Sequence, residues 1–325
     1  MRLKSASSSW NSSEAQQEMK SIYQELNNSL TSEKTFLNEK EENVVRISTG
    51  IFVQKTYEVE RRFTETIAND FEGELKQVDF SNGTSATVDI NDWVDQQSNG
   101  LLEKFFTDDI PDDTVMILVN VFYFRDFWQS PFEPHYTRKE DFYISPDRQI
   151  TVDMMTQEGV MKYGKFEDEG FEIVSKPLNN TRFTFVIVLP LEKWSLNGAT
   201  ELLNGNKVLM SLRLPKFTLK NTLDLVPTLK SIGVVDLFDP VKSDLSGITP
   251  NHNVYVNEFI QTNVLKLNES GIEATTVTSP IFVPISAIIP EVDFHVTHPF
   301  ICFIYDQQLT MPIMAAKVMN PILQS

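Results

Sequence analysis

Residues 265–298 read LKLNESGIEATTVTSPIFVPISAIIPEVDFHVTH, and this stretch decides how the rest of the chain is understood. Leu265 and Leu267 alternate with Lys266, the signature of a half-buried strand. Glu269, Ser270 and Gly271 interrupt it, and Gly271 can take backbone conformations that other residues avoid. From Ile272 to Ser279 the residues are small or β-branched, apart from Glu273. Pro280, Pro284 and Pro290 then keep the chain out of a helix or a central strand.

That is an unusual composition for a loop. Threonine and valine favour strands, and the Gly, Asn and Asp of ordinary turns are scarce. Taken by twos, Ile272, Ala274, Thr276 and Thr278 share one face. Glu273, Thr275, Val277 and Ser279 share the other, so the one charge lies opposite the face available for burial. The pattern predicts a segment exposed in one state and paired into a sheet in another.

Working outward, 325 residues with 41% hydrophobic content are enough for a substantial core. No apolar run reaches membrane-spanning length. A net charge of −17 argues against nucleic-acid binding and against adhesion to anionic membranes. The single cysteine, Cys302, excludes an internal disulfide and a thiolate zinc site, and its apolar run marks it as a buried small hydrophobe. Residues 1–13 form a polar, serine-rich tail without the apolar centre of a signal peptide. Against a cytoplasmic placement stand five Asn-x-Ser/Thr acceptors, at Asn11, Asn27, Asn82, Asn179 and Asn268.

Periodicity predicts helices at 14–40, 57–71, 88–106 and 223–232, the last ended by Gly233. Strands are expected at 44–54, 75–80, 114–127 and 183–191, with β-rich continuations at 208–220 and 254–267. No repeat or Gly/Ser linker divides the chain, so the reading is one α+β domain. A catalytic constellation is missing from the sequence: none of His135, His252, His295 and His298 has the spacing of a helical metal pair, and no Gly-x-Ser-x-Gly elbow, P-loop or dinucleotide fingerprint occurs. His298 reads as fixing a strand rather than as a base, and Glu167-Asp168-Glu169 as solvated surface. No metal, no cofactor and no dense basic patch for a sulfated polysaccharide is indicated.

Several motifs in order resemble the serpin family. Glu269-Ser270-Gly271-Ile272-Glu273-Ala274 resembles the hinge of a serpin reactive-centre loop, and the run from Phe294 through His298-Pro299-Phe300 to Ile304 resembles the segment after it. Ile90-Asn91-Asp92-Trp93-Val94 resembles the start of the helix crossing the large sheet. Leu118-Val119-Asn120-Val121-Phe122-Tyr123-Phe124 with Trp128 resembles a central strand and its terminal tryptophan. Val152-Asp153-Met154-Met155, Leu214-Pro215-Lys216-Phe217 and Asp244-Leu245-Ser246-Gly247-Ile248 follow in the family's sequence.

The resemblance covers roughly residues 14–321 and implies a serpin-like domain over 14–325, shortened at its N-terminus by three helices and a short strand, with a second gap between Leu191 and Leu214. It implies a large mixed sheet, smaller sheets and an exposed loop that a serine or cysteine protease attacks to form an acyl-enzyme. The freed hinge side then inserts into the large sheet and the attached protease is distorted, so the native state is held kinetically. The family's spacing implies a hinge of Glu269, Gly271, Ile272, Ala274, Thr275 and Thr276 and a scissile bond at Ile285-Ser286, or at Ser286-Ala287 counting back from Pro290. An apolar Ile285, with no Arg or Lys between Gly271 and Glu291, implies an elastase-like or chymotrypsin-like target. The expected product is an extracellular, monomeric glycoprotein. Ile272 in place of a small hydroxyl residue, Pro280 within the inserting strand and Gln261 in place of a histidine depart from the family pattern. They keep open a non-inhibitory binding, carrier or storage role.

Overall fold

The structure is a computed structural model, and it describes residues 17, 20, 21, 24, 44–191, 206–250, 254–272 and 290–322. Of the expected helix at 14–40, Gln17, Lys20, Ser21 and Gln24 are described and are helical. The chain divides into two compact units, each assembled from separate pieces of sequence. One holds Val44–Tyr123 with Asn221–Val264, the other Phe124–Lys220 with Leu265–Ser325.

In the first unit, strand β1 (Val44–Gln54) pairs in parallel with β2 (Glu74–Val78). The first-unit part of β3 (Met116–Phe127) pairs in parallel with β10 (Glu258–Leu267), with Leu118 opposite Phe259, Asn120 opposite Gln261 and Phe122 opposite Asn263. Alternation along β3 splits its side chains between two cores. Ile117, Val119 and Val121 pack with Phe52, Ile90, Trp93 and Val94, whereas Met116 and Leu118 pack with Ile51, Val53 and Phe259. Trp93 meets Phe52 edge-on at 5.4 Å and donates its indole N–H to Glu74 at 2.7 Å, so its polar end is satisfied.

The helix carrying Trp93 runs Gly83–Gln97, five residues earlier at its start than the sequence periodicity indicates. Asn82 caps it, its Oδ1 accepting from the Ser85 N–H at 3.2 Å, and Asn99 and Gly100 end it at positive φ. The cap residues, not the apolar period, set its limits. The other expected helices also shorten, to Arg61–Phe71 and Val226–Ser231. Leu223 and Asp224 belong instead to β9 (Phe217–Asp224), and Gly233 follows the helix at φ +99° as expected. The expected strand at 75–80 ends at Val78.

The second unit is built on an eight-stranded sheet. Its order is β12 (Val292–His295), β8 (Asn206–Pro215), β5 (Arg148–Phe166), β6 (Phe171–Pro177), β7 (Phe183–Pro190), β13 (Phe300–Asp306) and β14 (Met311–Val318), with β4 (Arg138–Ser145) paired to β5. Every residue of β7 is buried, as a continuous apolar run predicts for a strand covered on both faces. Cys302 is fully buried on β13, and burial pushes its thiol pKa up, which fits an inert core residue. Glu167, Asp168 and Glu169 are exposed at the turn after β5.

Candidate functional site: the loop hinge

The hinge lies within the second unit, where the ends of β3 and β10 flank a two-residue strand, β11 (Gly271–Ile272). Gly271 stands opposite Phe127 and Ile272 opposite Asp126 on β3, both antiparallel, and Ile272 also stands opposite Leu267 on β10. The start of the hinge is therefore already seated in the sheet. Ile272 is 0% exposed. The sequence raised its bulk as an obstacle to burial, and here that burial is complete. At about 25 cal/mol per Å2 of apolar surface, seating such a side chain contributes about 2 kcal/mol.

The turn that delivers it is closed by its own residues. Asn268 Oδ1 accepts from the N–H groups of Ser270 at 2.9 Å and Gly271 at 3.2 Å, and the Asn268 N–H donates to the Gly271 carbonyl at 3.0 Å. Trp128 holds the turn twice, through its backbone N–H to Ser270 O and its indole N–H to Asn268 O, both at 2.9 Å. The Phe132 N–H donates to Glu269 O at 2.9 Å. Gly271 is required by close approach: a Cβ there would run into the Asp126 carbonyl and come within 2.7 Å of Phe127 Cα.

Glu269 is pinned by its side chain. Lys216 Nζ donates to it at 2.9 Å and Thr137 Oγ1 at 2.8 Å. Burial works to raise the Glu269 pKa, but the bonds from Lys216, its own backbone N–H and Thr137 outweigh it and hold the carboxyl below its ordinary value. Lys216 keeps a third of its side chain in water, so screening limits the pair to about 1 kcal/mol.

Two ionisable residues that sequence reasoning missed stand close by. Asp126 is 1% exposed, and its carboxylate accepts from the N–H groups of Phe127 at 2.7 Å and Asn180 at 3.3 Å. Lys176 is 2% exposed, and its ammonium donates to Ser130 O at 2.9 Å and to Gln157 Oε1, beneath the rings of Phe132 and Trp128. Burial moves both toward neutrality, Asp126 up to about 7 and Lys176 down to about 7. The signal was available: Arg125-Asp126 interrupts the apolar run of a central strand, and Lys176 follows Ile173-Val174.

Beyond Ile272, the hinge residues Ala274, Thr275 and Thr276, with Pro280 and the scissile candidates Ile285, Ser286 and Ala287, lie outside the described residues. So do Asn11 and Asn27. Of the other acceptors, Asn82 is exposed, whereas Asn179 and Asn268 are half-buried. On the far side of the loop, β12 pairs in parallel with β8. His298 fits the anchoring role, its Nε2 lying 2.7 Å from the Pro190 carbonyl. Gln261, in the first unit, is half-buried and donates to Asn263 Oδ1 at 3.2 Å.

A family model described as Serpin (serine protease inhibitor) matches residues 3–321. The chain is 86% identical to a serpin from the trematode Schistosoma haematobium, with a TM-score of 0.86 over 97% of this chain and 83% of that one. It is 67% identical to the serpin structure from Schistosoma mansoni, again with a TM-score of 0.86, over 99% of this chain and 87% of that one. Among curated proteins, human Serpin B11 is 29% identical over 301 residues, which is 88% of this chain and 76% of the relative. With the seated hinge, the central strand and its tryptophan in place, the chain belongs to the serpin family.

Proposed function

We propose that this serpin is a suicide-substrate inhibitor of a serine protease that prefers an apolar residue before the cut, at Ile285-Ser286 or Ser286-Ala287. Members of the family generally inhibit proteases rather than act as enzymes, and the chain's own support comes from one observation, the register of the hinge. Continuing the pairing of Gly271 with Phe127 and Ile272 with Asp126 brings Thr276 opposite Phe122, Thr278 opposite Asn120 and Pro280 opposite Leu118. Continuing the pairing of Ile272 with Leu267 brings the same three residues opposite Asn263, Gln261 and Phe259. Those are the residues that β3 and β10 already pair with each other. An inserting strand would thus part β3 from β10 without shifting either, and a slip would invert every side chain.

Cleavage frees residues 273–285, long enough to run past Met116 at the start of β3. Thirteen extended residues span about 43 Å. The protease acylated at the new C-terminus would be carried that far before water releases it. In this reading the chain supplies bait and register, and the protease supplies the chemistry.

One observation favours the second reading, a non-inhibitory binding, carrier or storage protein. The Trp128 N–H bonds to Ser270 O, so even-numbered loop residues point their backbone groups at β3. Pro280 is even and has no N–H, which would leave the Leu118 carbonyl without a donor in the inserted sheet. One missing ladder bond costs about 1 kcal/mol, small beside the burial of a whole strand, so inhibition is the favoured reading. The acceptors at Asn82, Asn179 and Asn268 support reading it as an extracellular, glycosylated monomer facing a serine protease, or a cysteine protease of similar preference.

The test is incubation of the intact chain with elastase and with chymotrypsin, followed by denaturing gels and sequencing of the new N-terminus. A covalent band at the summed mass, with the new terminus at Ser286 or Ala287, is expected. Clean cleavage without that band moves the assignment to the non-inhibitory reading.

A further inference from the structure

Ile272 and Asp126 are direct antiparallel partners, so their side chains leave the same face of the sheet. Ile272 is fully buried, and Asp126 is buried with it. A buried isoleucine is therefore the cross-strand neighbour of a buried carboxyl group. Among the described residues, both Asp126 oxygens accept only from backbone N–H groups, of Phe127 and Asn180. Among the described residues, the cations of this region have other partners. The Arg125 guanidinium lies 5.6 Å from the Phe127 ring centre, Arg182 pairs with Asp306 at 2.5 Å, Lys176 binds Ser130 and Gln157, and Lys216 binds Glu269. A carboxylate that loses its water without gaining a cation is destabilised relative to its neutral acid.

We infer that Asp126 is a proton-operated latch on the hinge: seating Ile272 against it favours the neutral acid, so the hinge takes up a proton as it engages and tends to release as the acid ionises. The inference rests on reading this segment as the mobile hinge of the inhibitory loop. Its sign follows from linkage. Burial dominates at Asp126 and lifts its pKa from 3.8 to about 7, with the Phe127 and Asn180 N–H groups opposing. With the hinge out and the carboxyl hydrated, an ordinary aspartate value of about 4 is expected. Below that value the engaged hinge has its full stability. Between the two values engagement weakens with rising pH, by up to about tenfold per pH unit. Above about pH 7 the loss is complete and the dependence flattens. A serpin of this kind would present its loop more freely at neutral pH than in mildly acidic surroundings.

The experiment is hydrogen exchange of the Gly271 and Ile272 amides in the intact chain, without protease, from pH 5 to pH 8 and corrected for intrinsic exchange. Hinge protection in the native sequence is expected to fall at least about tenfold from pH 5 to pH 7.5. Asp126→Asn should keep the hinge engaged throughout and abolish the slope. Ile272→Ser, which lets water reach the carboxyl, should shrink the slope while leaving Asp126 in place, and it decides the matter if Asp126→Asn fails to fold. Flat protection in the native sequence overturns the inference. So does an undiminished slope in either variant, which in Asp126→Asn would pass the effect to Lys176. Failure to form a covalent complex with elastase at either pH would sink the inhibitor reading and leave the exchange result standing.

Discussion

The two ends of the segment between Ile272 and Pro290 are anchored differently. The N-terminal end has a strand on each side, its turn closed by Asn268 and held by Trp128, its glutamate tied to Lys216 and its isoleucine buried. The C-terminal end enters β12, four residues at the edge of the eight-stranded sheet, where β8 is its only strand neighbour among the described residues. Phe294 is fully buried there, and the side chains beside it are tied electrostatically: Arg213 to Asp293 at 2.5 Å, with His295 at 2.9 Å from Glu140. On the inhibitor reading proposed above, the end that would lead insertion already lies in register between the strands it would part, and the other end keeps its place beside β8.

The largest expected disruption of this contrast is Gly271→Val. Its branched Cβ collides with the backbone of Asp126 and Phe127, so the hinge should leave the sheet at a cost of about 2–3 kcal/mol. Hydrogen exchange should show loss of protection confined to the hinge, with β12 unchanged. Exchange that spreads into β12 would contradict independent anchoring.

Next comes Glu269→Gln, which keeps shape but removes the charge attracting Lys216. The expected loss is about 1 kcal/mol, seen as a lower midpoint of thermal unfolding or faster cleavage of the loop. Because the Glu269 pKa is lowered, its contribution is present above the ordinary glutamate value and is lost as pH falls through the value in the folded protein. The variant should therefore converge with the parent in strong acid.

Pro280→Thr tests the inserted state instead. It restores a donor to the Leu118 carbonyl, so the cleaved form should gain about 1 kcal/mol while the intact form is unchanged. A larger share of protease trapped per molecule cleaved is the corresponding kinetic result. An equal gain in intact and cleaved forms would place Pro280 outside the inserting strand.

The smallest effect belongs to the C-terminal anchor. Burial lowers the His295 pKa, as does the nearby Arg213, against the opposing pull of Glu140 and Asp293. Its neutral form is favoured in the fold, so the stability it lends is present above the ordinary histidine value and is lost as pH falls below it. Exchange in β12 should rise modestly in mild acid, while the Asp126 linkage tightens the hinge over the same range. His295→Asn should remove the first trend without touching the second.

Much of this could be read from the sequence because it is written in local chemistry. The limits Val44–Gln54, the buried run of β7, the interruption at Glu269-Ser270-Gly271 and the final glycine at Gly233 follow from alternation, apolar continuity and backbone freedom. Periodicity sets the helix around Trp93 too late in the chain because its apolar period continues past Ser98, whereas Asn82 and the Asn99-Gly100 pair fix its ends. What the sequence by itself determined is that residues 272–279 have the makings of a strand and the alternation to be buried on one side. Only the tertiary structure decided that this strand has already begun, that Gly271 and Ile272 pair with both neighbours, and that Ile272 stands opposite Asp126. The pairing with β3 depends on partners more than a hundred residues away in the chain, and neither strand pairing nor the loss of water around a carboxyl is specified by local composition.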